Sequence, residues 1–103
     1  MRILTIVYDS LLLGRTNSVL ARQGHFVEGA DTLGQALELS AILEWDLVMI
    51  ENSVPGQDAA FLEKLIRFRS NTPVALITDP AKPLEGVKTF PSPAFAGERA
   101  EAA

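Results

Sequence analysis

The stretch "DLVMIENSVPG", residues 46–56, decides the fold of this chain. It begins with an acid, continues through four consecutive apolar residues, and closes on a Pro-Gly pair after Glu51. A short apolar run bounded by turn residues predicts a β-strand that is buried on both faces. Strands of this kind belong to parallel sheets covered by helices on both sides. The run ends in a glutamate, and the question is whether that acid carries out chemistry.

The segments around this stretch alternate between apolar runs and helical spacing. The runs "RILTIVY", "HFVEGA" and "TPVALIT" predict three more strands. One helix is predicted from Ser10 to Gln23, with Gly24 as its stop, and a second begins after Thr32 as its N-cap. A third is predicted from Gln57 to Phe68. Its apolar positions are Phe61, Leu62, Leu65, Ile66 and Phe68. This alternation predicts an α/β fold with a parallel sheet and helices on both faces.

The pattern weakens after Thr78. The segment "DPAKPLEG", residues 79–86, contains two prolines and cannot form an ordinary crossover helix. The run "VKTF" predicts a short fifth strand, and residues 91–103 predict a short C-terminal helix or tail with Ser92 as its N-cap. We therefore expect a single domain over residues 1–103.

Composition excludes several function classes. The chain has 103 residues, a formal net charge of -4 and no cysteine. An acidic balance argues against a nucleic-acid surface, and the lack of cysteine removes disulfides, thiolate metal sites and cysteine nucleophiles. No apolar run predicts a membrane span or a signal peptide. A single histidine provides no basis for a Ser-His-Asp set. We expect a cytoplasmic protein without catalytic residues or enzymatic activity.

The quoted stretch resembles the third strand and following loop of bacterial response-regulator receiver domains (CheY-like). Those typically read Asp-Leu-Val-Leu-Leu-Asp before a short loop that ends in Pro-Gly. "RILTIVYDS" resembles their first strand, "GHFVEGADTLGQAL" their second strand and helix, and "TPVALIT" their fourth strand, over residues 2–79. The resemblance implies a flavodoxin-like, doubly wound parallel sheet of strand order 2-1-3-4-5. The fourth helix would be missing or vestigial and the fifth shortened.

The resemblance also implies a degenerate phosphorylation site. In the family, an aspartate after the third strand accepts phosphate, and two acids after the first strand help to hold Mg²⁺. Here the phosphoacceptor position is Glu51, and the acid pair is Tyr8 and Asp9, so one acid of the pair remains. The carbonyl that completes the metal site would belong to Ser53. Asp9, Glu51 and Ser53 would bind Mg²⁺ weakly at most, and we expect no cofactor.

The family's phosphoryl-binding residues are also altered. Thr78 matches the hydroxyl position after the fourth strand, but Asp79 follows where a small residue is usual. The lysine position falls at Ser92 or Pro93, and Lys88 would need a shifted register. Phosphoryl transfer to a carboxylate needs a metal and a lysine to neutralise charge. The site is therefore expected to be broken.

Three interpretations of Glu51 stay open. It partly imitates the phosphorylated state, it is a remnant acid in solvent, or it still accepts phosphate. For Tyr8, we expect the ring to cover the site and the hydroxyl to bond a neighbouring carboxylate.

The sequence thus predicts an atypical stand-alone receiver that acts in two-component signal transduction through phosphorylation-independent protein–protein contact. Its partner would be a histidine kinase, another regulator or a second copy, with a homodimer formed through the region from Leu84 to Ala103. One alternative is a sensing module that holds a cation or small ligand at Asp9, Glu51 and Thr78. Another is a phospho-accepting relay protein. Neither nucleic acid nor membrane is expected as a partner.

Overall fold

The structure, a computed structural model, describes residues 1–86 and the backbone of residues 88 and 89. Strands and helices alternate along the chain, as predicted. Their bounds are β1 (Arg2–Ile6), α1 (Ser10–Arg22), β2 (Phe26–Ala30), α2 (Leu33–Ile42), β3 (Leu47–Glu51), α3 (Gly56–Arg69), β4 (Val74–Ile77) and β5 (Lys88–Thr89). None of the helices in the described part of the chain is both long enough and apolar enough to cross a membrane.

The first four strands form a parallel sheet of order β2-β1-β3-β4. In the register, Ile6 on the central β1 lies opposite Ala30 on β2 and Ile50 on β3. Parallel neighbours need crossover connections, which α1, α2 and α3 supply. The predicted α/β fold is confirmed, and this strand order is consistent with a flavodoxin-like fold.

The fifth strand differs from the prediction. Of the predicted fifth strand, the described residues are Lys88 and Thr89, which lie beside β4 as in the predicted order but run antiparallel to it, with Thr89 opposite Ala75 and Lys88 opposite Leu76. A parallel return needs a crossover of about a dozen residues or more, usually a helix. Residues 78–86 form only turns and bends, so a parallel fifth strand is not part of the described fold. The predicted C-terminal helix or tail, residues 91–103, lies outside the described residues.

The core has two layers, one on each side of the sheet. Beneath α2 and α3, the sheet presents buried side chains of Leu4, Ile6, Val48, Ile50 and Val74. Beneath α1, it presents those of Ile3, Val7, Met49 and Ile77. Residues 3–7 of the β1 run are fully buried on both faces, as its apolar sequence predicts. Helices therefore cover both sides of the sheet, and its carboxyl edge remains as the place for a site.

Local signals define the helix ends. The side chain of Asp9 caps α1 by accepting a hydrogen bond from the backbone amide of Leu12 at 3.1 Å. Thr32 caps α2 in the same way through the amide of Gln35, also at 3.1 Å. The chain leaves α1 through Gly24, whose φ of 91° favours glycine. The predicted stop at Gly24 and the predicted cap at Thr32 are confirmed.

Candidate functional site

Three strands bring the candidate residues to one edge of the sheet. The register sets Ile6 beside Ile50, and Glu51 beside Ile77. Tyr8 and Asp9 follow β1, Glu51 ends β3 and Thr78 follows β4. These residues therefore leave the sheet together, at the carboxyl ends of neighbouring parallel strands.

Asp9 is the N-cap residue of α1 at this edge. Its Oδ1 accepts the amide hydrogen of Leu12, one of the amides that the first turn of a helix leaves without an intrahelical partner. The carboxylate also sits at the positive end of the helix dipole. An N-cap role is thus enough to explain an exposed acid at this position.

The Glu51 carboxylate folds back onto its own loop. Its Oε1 accepts a hydrogen bond from the amide of Ser53 at 2.8 Å, and its carbonyl accepts one from the amide of Val54 at 3.0 Å. The Ser53 hydroxyl oxygen in turn accepts the amide hydrogen of Tyr8 at 2.9 Å. These bonds tie the β3–α3 loop to the end of β1. The family resemblance implies that the backbone carbonyl of Ser53 would complete a metal site. In this structure the Ser53 hydroxyl links the β3–α3 loop to the end of β1, and its amide bonds the Glu51 carboxylate.

Tyr8 reaches across the edge to α3. Its hydroxyl donates a hydrogen bond to Oδ2 of Asp58 at 2.9 Å, which confirms the predicted bond to a carboxylate. Burial of the phenol, together with this bond and the negative charge of Asp58, raises the pKa of Tyr8 to about 12. Sequence reasoning missed Asp58 because fifty positions separate it from Tyr8. The only local signal was an acid in the first turn of a helix, where the dipole favours it.

Thr78 and Asp79 serve the turn that follows β4. The Thr78 hydroxyl donates to the carbonyl oxygen of Gly86 at 3.0 Å, and Asp79 Oδ1 accepts from the amide of Ala81 at 3.0 Å. Both residues stabilise the turn segment by these bonds. The candidates for the lysine position, Ser92 and Pro93, lie outside the described residues.

The carboxylates at this edge are engaged in local hydrogen bonds, and the described residues form no cluster of three metal-ligating side chains. Mg²⁺ demands near-octahedral oxygen coordination, usually with one or two carboxylates. Within residues 1–86, no group of three or more His, Asp or Glu side chains is placed to hold a metal ion. Asp9 and Glu51 each already engage one oxygen with a backbone amide.

The charge at the edge is also uncompensated where the structure describes it. The ion pair found in that part of the chain joins Arg67 to Glu63 on α3. The carboxylates of Asp9, Glu51 and Asp79 take part in no ion pair among the described residues.

A shallow depression of about 380 Å³ lies beside Glu51. Its walls are mostly apolar and include Val54 in the β3–α3 loop, Ala59 on α3 and Leu76 on β4. Neither Asp9 nor Thr78 lines it. The three residues suggested for a cation or small-ligand pocket therefore do not share this depression.

Comparison with known proteins supports a fold and no family. No family model matches the chain, and no curated protein matches it. One similar solved structure is described as a segment of the yeast Spc42 trimeric coiled coil fused to another structure, with a TM-score of 0.65 and 23% identity. The match covers 79% of this chain and 58% of that one, so this chain spans less than two thirds of its length. At this identity the likeness concerns the fold alone.

Proposed function

We propose that this chain is a receiver-like regulator that has lost phosphoryl chemistry. It acts in cytoplasmic signal transduction through phosphorylation-independent protein–protein contact. The sequence resemblance and the sheet order support the receiver-like part of this proposal. One observation carries the rest, namely that the polar side chains at the site positions are engaged in local structure. Asp9 caps a helix, Glu51 bonds the amide of Ser53, and Thr78 bonds the carbonyl of Gly86.

The chemistry gives the reason for the loss. A carboxylate attacks phosphorus slowly unless cations stabilise the charge that develops on the transferred group. At this edge Tyr8 stands where the family has an acid, and its hydroxyl is bonded to Asp58. The remaining acids, Asp9, Glu51 and Asp79, would repel a phosphodonor.

The three interpretations of Glu51 are not equally supported. An imitation of the phosphorylated state would bring the carboxylate and the Thr78 hydroxyl together. Here the Thr78 hydroxyl bonds Gly86 and the Glu51 carboxylate bonds its own loop. The geometry favours a remnant acid that orders the β3–α3 loop. Signalling would then depend on which partner binds, without a phosphate-driven change of conformation.

The direct test is exposure to acetyl phosphate and Mg²⁺, followed by intact-mass measurement. We expect no adduct on the natural chain. We also expect none on Glu51→Asp, because Tyr8 still occupies the second acid position and the lysine position is still altered. A phosphorylatable receiver domain treated in parallel shows that the reagent is active. A phospho-adduct on the natural chain would overturn the proposal, and one on Glu51→Asp would contradict our account of the site.

The cation-sensing or ligand-sensing alternative has a separate test. A melting-temperature scan across divalent cations and nucleotides would reveal a ligand that binds the folded state, because such binding raises the apparent stability. We expect no shift at micromolar ligand. A rise of several degrees that Glu51→Gln abolishes would favour the sensing module instead.

A further inference from the structure

Helix α3 is apolar on two opposite sides. Its sheet-facing side chains Ala59, Leu62 and Ile66 are buried. On the other side, about half a turn away at 3.6 residues per turn, lie Phe61 and Phe68. Phe61 is 50% exposed and Phe68 is 89% exposed. A surface helix of a globular protein normally carries one apolar stripe, so the second stripe on α3 needs an explanation beyond the core.

Helix α2 extends this apolar surface. It contacts α3 on the same side of the sheet. On the side away from the sheet it carries Ile42, which is 62% exposed, together with exposed Ala41 and Glu38. We call the combined surface the α2–α3 face. It consists of Glu38, Ala41, Ile42, Phe61, Lys64 and Phe68.

The two halves of this face carry opposite charge. Exposed Glu38 lies on α2, whereas exposed Lys64 lies on α3. A partner that fits must therefore offer a basic and apolar strip to α2, and an acidic and apolar strip to α3. The face itself offers both strips.

We propose that the α2–α3 face binds the same face of a second copy of this chain. Each helix connects two parallel strands, so both run from the carboxyl edge of the sheet to its amino edge and lie side by side. A two-fold axis along the helices places α2 of one copy over α3 of the other. Glu38 then lies over Lys64 of the second copy, and symmetry repeats the contact.

A groove next to the face supports this arrangement. It lies between the ends of α2 and α3, has a volume of about 610 Å³, and includes Leu43, Trp45 and Ile66 in its lining. The proposed axis places Phe68 of the second copy over the end of α2, beside this groove. The lining also includes polar residues such as Ser70, Asn71 and Thr72. Phe68 would act as the interface anchor by packing on the apolar part of the groove.

The size of the face sets the expected strength. At 1.5 Å per residue α2 and α3 are roughly 15 Å and 21 Å long, and packed helices lie about 8–10 Å apart. The face therefore covers on the order of 400 Å² in projection. Stable interfaces bury about 800 Å² per partner. The face is smaller than that, so we expect a weak, reversible dimer. This inference rests on the proposed function, because it names the second copy as the partner in that contact.

Sedimentation equilibrium over a concentration series tests the anchor. Phe68→Glu should raise the dimer dissociation constant by about tenfold or more, since it places a charge in the apolar contact. The matched control is Leu11→Glu, which alters a leucine that is 67% exposed on α1, across the sheet. It should leave the constant unchanged within about twofold. Circular dichroism would establish that both variants keep the fold.

A charge exchange tests the orientation. Glu38→Lys and Lys64→Glu should each weaken the dimer, and the double variant should recover most of the loss. A natural chain that stays monomeric at high micromolar concentration would overturn the proposal. So would a dimer that survives Phe68→Glu, a result that would direct attention to the region from Leu84 to Ala103. These outcomes are independent of the acetyl phosphate result, so the dimer and the loss of phosphoryl chemistry can fail separately.

Discussion

At the scale of single residues, Tyr8 best shows how the edge of the sheet has changed its role. The resemblance implies an acid at this position, and a phenol stands there instead. Its hydroxyl bonds Asp58 on α3, and its amide bonds the hydroxyl of Ser53. The family resemblance implies an acid that helps to hold a metal at this position. Here Tyr8 instead links the end of β1 to the β3–α3 loop and to α3 by hydrogen bonds.

The ionisation of Tyr8 can be measured directly, because it is the only tyrosine in the chain. Tyrosinate absorbance of the folded protein should show a pKa of about 12 for Tyr8. In urea-unfolded protein the midpoint should lie near 10. The folded pKa is the higher one, so folding favours the neutral phenol. This contribution to stability is fully present below pH about 10 and is lost as the pH rises towards 12.

The control is Tyr8→Phe, in which this alkaline loss of stability should be absent. A folded-state midpoint near 10 would show that the bond to Asp58 does not persist in solution.

At the scale of secondary-structure elements, the start of α1 depends on the same carboxylate that the resemblance implies as a metal ligand. Capping and metal binding make different demands on Asp9. A cap needs one oxygen acceptor, which Asn also supplies, whereas a hard cation favours the charged carboxylate.

Asp9→Ala should lower the free energy of unfolding by about 1 kcal/mol, because the amide of Leu12 loses its acceptor. Asp9→Asn should lose much less, because Asn and Asp cap helices about equally well. Urea unfolding at neutral pH, with and without Mg²⁺, would measure both changes. Two results would show that Asp9 acts as a metal ligand more than as a cap. One is a loss of unfolding free energy in Asp9→Asn as large as that in Asp9→Ala, and the other is stabilisation of only the natural chain by Mg²⁺.

At the scale of the whole molecule, α3 lies between the sheet and the surface that we propose for the second copy. Neighbouring residues on it differ in burial, since Leu62 is fully buried and Phe61 is half exposed. The two layers of the core on either side of the sheet supply most of the hydrophobic stabilisation.

Leu62→Ala should destabilise the chain by about 2–5 kcal/mol, since it opens a cavity between α3 and the sheet. That is a large share of the roughly 5–15 kcal/mol typical of a whole domain. Phe61→Ala should change stability by no more than about 0.5 kcal/mol when it is measured at concentrations where the chain is monomeric. Urea unfolding would compare the two. Equal losses would mean that the stripe on the outer side of α3 is part of the core.

The sequence by itself determined the alternation of strands and helices, the burial of β1 and β3 on both faces, and the caps and stops at Thr32 and Gly24. It also predicted that Tyr8 would bond a carboxylate. These features follow from propensity, periodicity and hydrogen bonds between residues that are close along the chain.

Only the tertiary structure decided which carboxylate Tyr8 bonds, in which direction Lys88 and Thr89 pair with β4, and which apolar side of α3 meets the sheet. From the sequence alone, Phe61, Phe68 and Leu62 were all assigned to the apolar positions of one predicted helix. Periodicity shows that a helix has apolar sides. The choice between two such sides depends on how distant strands place the helix, and that is a long-range property of the fold.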